Sequence, residues 1–205
     1  MKRLEIKNNV SPNFIGNWDL ENKELCKEII DFFENNSDLH MKGTTGGGID
    51  ESVKKSTDIT IKPESLRDER YKVFNKYFEN LYQCFTDYKE QYDFLKTFVK
   101  KIHIGPFNIQ KYLPGGHFGR LHAERTDMAH IHRIFAWMTY LNDVDDGGTT
   151  DFDYYNVKVK PETGKTLICQ LNGHMHIEGV FLMGEKNILL LAGFTSQTKF
   201  SFKVF

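Results

Sequence analysis

The sequence has too few cysteines to be held together by disulfides. Cys26, Cys84 and Cys169 are odd in number and far apart, and no two stand at the short spacing of a zinc site. It has no apolar run approaching the length that crosses a bilayer. Its charged start, MKRLEIKNNV, leads into no apolar segment of the kind a signal peptide needs. It lacks net charge as well: 27 Lys and Arg against 28 Asp and Glu leave a formal -1, which argues against a partner held mainly through phosphates. No internal repeat or low-complexity linker divides the chain, and 205 residues suffice for one substantial core, so a single domain over 1–205 is expected. These absences predict an intracellular, cytoplasmic protein (in the host cytoplasm if the source is viral) with no nucleic-acid partner and no membrane partner. They say nothing of oligomeric state.

What the sequence does have is aromatic residues, 17 Phe and 9 Tyr, which suit a β-rich core. Leu25, Ile29, Phe32 and Phe33 recur at helical spacing between Asn22 and Asn35, with Asn22 placed to cap the start. Phe74, Tyr77, Phe78, Leu81 and Phe85 form a second stripe within a helical region from Pro63 to about Tyr92. Between these helices lies a polar, glycine-rich stretch that reads as a loop, with Gly46, Gly47 and Gly48 at its centre. From Lys101 the character changes. KIHIG, FNIQKYL, IFAWMTYL, YNVKVK, TLICQL, GVFLM, KNILLLAGF and KFSFKVF are short β-type runs separated by turn residues such as PGG, NDVDDGG, PETGK and NGH. Many short strands at even spacing suggest a sandwich, barrel or jelly roll. The predicted class is therefore α+β, mainly β, with a helical support region over about 1–100 and a β-core over about 101–205.

Six of the eight histidines fall between His117 and His176. In YLPGGHFGRLHAERTD, His122 and Glu124 stand two apart, so on a strand or strand end they share one face and can bind one ion together. A further histidine from a distant strand would complete two His and one carboxylate, the facial set with open positions used by non-haem Fe(II) oxygenases. The same ligand types also build catalytic zinc sites, usually through H-E-x-x-H on one helix, which this chain lacks. The stretch HMHIEGVFLMGEK offers His174 and His176, also two apart, and local spacing does not choose between them. His130 and His132 read as solvated loop residues, and His40 and His103 are isolated.

Four motifs in order resemble those of the 2-oxoglutarate/Fe(II)-dependent dioxygenases, in the prolyl 4-hydroxylase-like branch and its small phage and bacterial members. They run from about Asn108 to Phe194: YLPGGHFGRLHAE, RIFAWMTYLNDVDDGGTTDF, VKVKPETGKTLI and HMHIEGVFLMGEK. KKSTD, from Lys54 to Asp58, resembles an upstream motif of the same small members with less specificity. The chain departs from the pattern at Leu121, where an aromatic is usual, at CQLNG before the distal histidines, and at Gly179, a displaced glycine. These departures bear on the substrate rim near His176 more than on the metal.

The resemblance implies a double-stranded β-helix, a jelly roll of cupin type, with N-terminal helices packed on one sheet. It implies Fe(II) held by His122, Glu124 and His176, since the family's cosubstrate lysine follows the metal histidine by ten residues and Lys186 stands at that distance from His176. His174 is then a companion that lines the site or packs beneath it. The resemblance further implies 2-oxoglutarate and O2 as cosubstrates, with ascorbate an admissible addition. Lys186 meets the far carboxylate, Tyr140 of the YLN motif donates to it, and Tyr112 lines the same pocket. The expected reaction is oxidative decarboxylation to succinate and CO2 coupled to hydroxylation of a peptide, protein or small-molecule substrate, with a prolyl residue the default. One or both of the loops 41–58 and 125–132 are expected to cover the site and contact the substrate, the alternative being plain surface loops. Two readings compete: a cupin-type metalloenzyme that uses no 2-oxoglutarate, and a non-catalytic peptide-binding β-helix module. A nucleic-acid demethylase is disfavoured, because the chain lacks both a basic balance and the arginine pattern of those enzymes.

Overall fold

A computed structural model describes residues 1–6, 12–99, 101–122, 133–171, 177–179 and 186–195. In chain order the elements are β1 (Lys2–Arg3), β2 (Ile15–Asp19), α1 (Lys23–Asn35), β3 (Met41–Lys42), β4 (Lys54–Lys55), β5 (Thr57–Ile61), α2 (Val73–Gln91), α3 (Asp93–Phe98) and β6 (His103–Ile104). There follow β7 (Phe107–Tyr112), β8 (His117–His122), β9 (Arg133–Tyr140), β10 (Thr150–Phe152), β11 (Val157–Val159), β12 (Lys165–Gln170), β13 (Ile177–Gly179) and β14 (Asn187–Thr195).

The two helical stripes fold as their spacing predicts. The Asn22 side chain accepts from the Leu25 backbone N–H at 3.1 Å and starts α1, which buries Leu25, Cys26, Ile29, Phe32 and Phe33. Helix α2 buries Phe74, Tyr77, Phe78, Leu81 and Phe85. Both helices cover one face of a nine-stranded antiparallel sheet ordered β1-β2-β12-β9-β14-β7-β5-β3, with β6 also paired to β14. On β9 the alternation of a strand divides the side chains between two cores. Phe135 and Trp137 face the helices, while Ala136, Met138 and Tyr140 face the other way. Phe78 packs edge-on against Phe107 and Trp137 at 5.2 and 6.0 Å, and truncating such a ring to alanine costs about 3–5 kcal/mol.

The second core lies between this sheet and a five-stranded antiparallel one, ordered β11-β10-β13-β8-β4. Phe152, Val157 and Val159 of the smaller sheet meet Tyr112, Met138, Tyr140 and Leu167 of the larger. The space between the two sheets holds the residues of the candidate site.

The N-terminal half is not only helical. Strand β2 pairs with β12 along Ile15 to Asp19, and β5 pairs with β7 along Thr57 to Ile61, so the first hundred residues complete both edges of the large sheet. IGNWD escapes recognition because glycine and asparagine break its apolar pattern, although four of its five residues are buried. Strand therefore exceeds helix only modestly, and the structure is mixed α and β rather than mainly β. Among the described residues no helix is long and apolar enough to cross a membrane.

Candidate active site

Strand β8 carries His122 at its end, half-buried, and Phe118 four residues earlier, two repeats of the pleat back on the same face. The two rings stack at 4.1 Å between centroids and 22° between planes. Phe118 packs on the core between the sheets, so this face of β8 looks inward. Strand β13 lies alongside, and its first residue, Ile177, stands opposite His122. Glu124, His174, His176 and the loop 125–132 lie outside the described residues. Among the described residues no three His, Cys, Asp or Glu side chains converge on one point.

Both predicted tyrosines face the interior. Tyr140 is fully buried, and its hydroxyl donates to Thr150 Oγ1 at 2.5 Å, which ties β9 of the large sheet to β10 of the small one. Burial holds its phenol pKa far above the ordinary range, against the pull of the Thr150 bond, so the group is a neutral donor. Tyr112 donates to Gln110 Oε1 at 3.1 Å, and burial, then the nearby Asp58 charge, likewise raise its pKa. The register of β14 sets Asn187 opposite Tyr112 and Leu189 opposite both Tyr140 and Gln110.

Lys186 does not join them. Its amine is half exposed on the helix side, 3.2 Å from Glu34 Oε1 of α1, and Glu34 also receives Lys111 through both oxygens, at 2.8 and 2.9 Å. The Lys111 hydrogen bond, with Lys186 a lesser contributor, holds the Glu34 carboxyl below the usual glutamate range.

A different lysine is buried. Lys54, 3% exposed, projects from β4 and donates to Asp58 Oδ2 on β5 at 2.7 Å, so this ion pair bridges the two sheets. Asp58 is well supplied with donors: Ser56 Oγ at 2.7 Å and Gln110 Nε2 at 3.5 Å add to Lys54. The ammonium also lies 5.6 Å from the centre of the Phe118 ring. Gly43 lets the chain close over the pair, for a Cβ there would come within 2.2 Å of Ser56 Oγ and 3.1 Å of Lys54 Cε. The sequence signal for this cluster is KKSTD, whose first and last residues are the two partners.

The loop expected over 41–58 is in large part a folded hairpin. Thr45 and Gly48 exchange backbone hydrogen bonds at 2.8 and 2.9 Å, and the stretch ends in β4 and β5.

No protein-family model matches the sequence, and no curated protein aligns with it. Solved structures do share its fold, prolyl hydroxylases among them. A prolyl-4-hydroxylase from Pseudomonas putida superposes with a TM-score of 0.69 at 15% identity, over 91% of this chain and 95% of its own. A viral collagen prolyl hydroxylase from Paramecium Bursaria Chlorella virus-1, solved with 2-oxoglutarate, gives 0.64 at 15% identity, covering 91% and 98%. A prolyl hydroxylase from Trichoplax adhaerens, in complex with a peptide fragment of the hypoxia inducible factor oxygen degradation domain, gives 0.65 at 12% identity, covering 90% and 84%.

Proposed function

We propose that the chain is an Fe(II)- and 2-oxoglutarate-dependent dioxygenase, a single catalytic domain whose two facing sheets form a double-stranded β-helix. Its substrate is a prolyl residue of a peptide or protein. The observation that carries this reading is the pairing of β8 with β13. The pairing sets Ile177, the residue after His176 in the chain, opposite His122, so two segments bearing candidate ligands are neighbours in the small sheet. The fold shared with prolyl hydroxylases supports it.

In this reading His122, Glu124 and His176 hold the metal, a donor set suited to Fe(II) with positions left open. Bound iron supplies the activation of dioxygen that 2-oxoglutarate decarboxylation requires. The chain would supply an apolar, water-poor setting for 2-oxoglutarate between the sheets. Tyr140 and Tyr112 belong to that core, and both keep their protons because burial disfavours the phenolate. Lys186 reaches the cosubstrate only by leaving Glu34. That contact is the observation favouring a metalloenzyme that uses no 2-oxoglutarate.

Oxygen-free equilibrium dialysis of Fe(II) against single alanine variants tests the ligand set. His122→Ala, Glu124→Ala and His176→Ala are each expected to lose most of the bound metal, and His174→Ala to retain it. Equal losses at His174 and His176 would contradict the assignment. Retention of Fe(II) with no metal-dependent binding of 2-oxoglutarate would favour the second reading.

A further inference from the structure

We propose that Phe118 is a positioning residue for the candidate metal centre: a bulge in β8 brings its ring against His122 and fixes the plane of the imidazole. This rests on the dioxygenase reading above, in which His122 is a ligand. In a straight strand, residues four apart are separated by roughly 13 Å, too far for their rings to stack. Yet the rings of Phe118 and His122 stack at 4.1 Å between centroids. The pairing with β13 accounts for the contact. Gly179 stands opposite Phe118 and Ile177 opposite His122, so two steps along β13 answer four along β8. Strand β8 therefore bulges between its two rings, and a bulge bends a strand and re-aims the side chains it carries.

The contact has the form of a platform. Phenylalanines of the helix-side core meet edge-on, Phe32 with Phe74 at 5.0 Å and Phe78 with Phe107 at 5.2 Å, which fills volume and leaves the ring planes crossed. Phe118 and His122 lie face to face, 22° from parallel. A face contact hinders rotation of an imidazole about its Cβ–Cγ bond, while the ring nitrogens stay on the edge. Coordination accepts one orientation of the ring, so a ring already held in it gives up less freedom when metal binds. Phe118 is itself held from both sides. Across the ladder on β4 is Lys54, whose ammonium lies over the Phe118 ring, 5.6 Å from its centre, and donates to Asp58 at 2.7 Å. Across the other ladder is Gly179. Directly opposed residues bring their Cβ atoms within roughly 5 Å, so glycine there leaves the space to the phenyl ring. The displaced glycine of the sequence thus has a role at Phe118.

Ordinary core packing by Phe118 is the competing account, and ring spectra together with metal affinity separate the two. The full chain, free of metal, is isotope-labelled at histidine, and the His122 ring signals are assigned by their loss in His122→Ala. In wild type these ring protons are expected upfield of an exposed histidine's, displaced by the phenyl ring current, and in Phe118→Leu that displacement is expected to vanish. Fe(II) affinity is then measured by oxygen-free equilibrium dialysis at a temperature where every variant is folded. Phe118→Leu is expected to lose on the order of 3- to 10-fold, and Phe118→Tyr, which keeps the ring, to stay within about twofold of wild type. Val157→Ala truncates the same core on β11, two strands removed from β8, and is expected to leave the affinity unchanged. Phe118→Met takes the place of Phe118→Leu if the latter does not fold. Wild-type affinity in the variant without the ring, an equal loss in Phe118→Tyr or Val157→Ala, or a wild-type His122 ring without the upfield displacement overturns the assignment. If wild type binds no Fe(II) at all, the dioxygenase reading fails and the assignment falls with it.

Discussion

Tyr77 on α2, Thr139 on β9 and Thr166 on β12 form a chain of hydroxyls in a core where all three residues are fully buried. Tyr77 and Thr139 are 2.7 Å apart, Thr139 and Thr166 are 2.8 Å apart, and Thr166 donates to the Gly164 carbonyl at 3.3 Å. Each hydroxyl has one proton, so the last bond fixes the direction of the others: Thr139 donates to Thr166, and Tyr77 donates to Thr139. Burial raises the Tyr77 pKa well above its ordinary value, so the donor keeps its proton at any working pH. Tyr77→Phe leaves Thr139 with its donor still satisfied and only an acceptor vacant, which is expected to cost about 1–2 kcal/mol. Thr139→Val leaves the Tyr77 hydroxyl as a buried donor without a partner and also vacates an acceptor on Thr166. Its expected cost is larger, about 2–4 kcal/mol. With Tyr77→Phe already in place that buried donor is gone, so the double variant should cost less than the two single losses together. Urea unfolding reads these values as shifts in midpoint at constant slope, and in a chain of this size each kcal/mol moves the Tm by roughly 2–4 °C. If Tyr77→Phe proves as costly as Thr139→Val, or the two effects simply add, the direction assigned to the chain is wrong.

Gly16→Ala would place a Cβ 2.1 Å from the Trp18 ring and 2.7 Å from Tyr88, and Trp18 is fixed by its bond to Asp87 at 2.8 Å. Such overpacking is expected to cost about 1–3 kcal/mol, read by thermal unfolding, and a neutral result would mean the indole has room to move. Burial, with a smaller contribution from Asp19, pushes the Cys26 thiol from 9.0 up to about 11, and burial pushes Cys84 up to about 12. The unfolded chain gives up these protons first, so the contribution of the two thiols to stability is expected to be flat below pH 9 and to fall between pH 9 and 12; a rise in urea midpoint across that window would reverse the sign. Glu34→Gln weakens the hold on Lys186, and 2-oxoglutarate affinity is expected to stay within about twofold if the lysine keeps to the helix side. A severalfold tightening would show that Lys186 had been withheld from the site by Glu34.

Much of the scaffold is legible in the sequence, because helices and exposed turns are written locally. Asn22 caps α1 and the stripe from Phe74 to Phe85 faces the sheet, both as spacing alone indicates. IGNWD and TDITI are harder to see, since each is five residues long and becomes a strand only through pairing with β12 or β7 much later in the chain. The inward placement of Tyr112 and Tyr140 follows from strand alternation once their runs are recognised. Lys186 shows the limit of motif spacing. Ten residues after His176 fixes a count but not a face, and just ahead of β14 the lysine lies with Glu34 on the helix side. The Lys54–Asp58 pair shows the converse. Its residues are visible in KKSTD, but nothing local reveals that a charged pair from an apparently polar loop lies buried between two sheets.

The dioxygenase reading is tested most directly by the products of dioxygen. The full chain is loaded with Fe(II) and 2-oxoglutarate under oxygen-free conditions, O2 is admitted, and succinate is quantified. Succinate is expected to form only when metal, 2-oxo acid and O2 are all present, and to fall to background in His122→Ala. If the wild-type chain binds Fe(II) yet forms no succinate with or without a prolyl peptide, or if His122→Ala forms it undiminished, the proposed activity is contradicted.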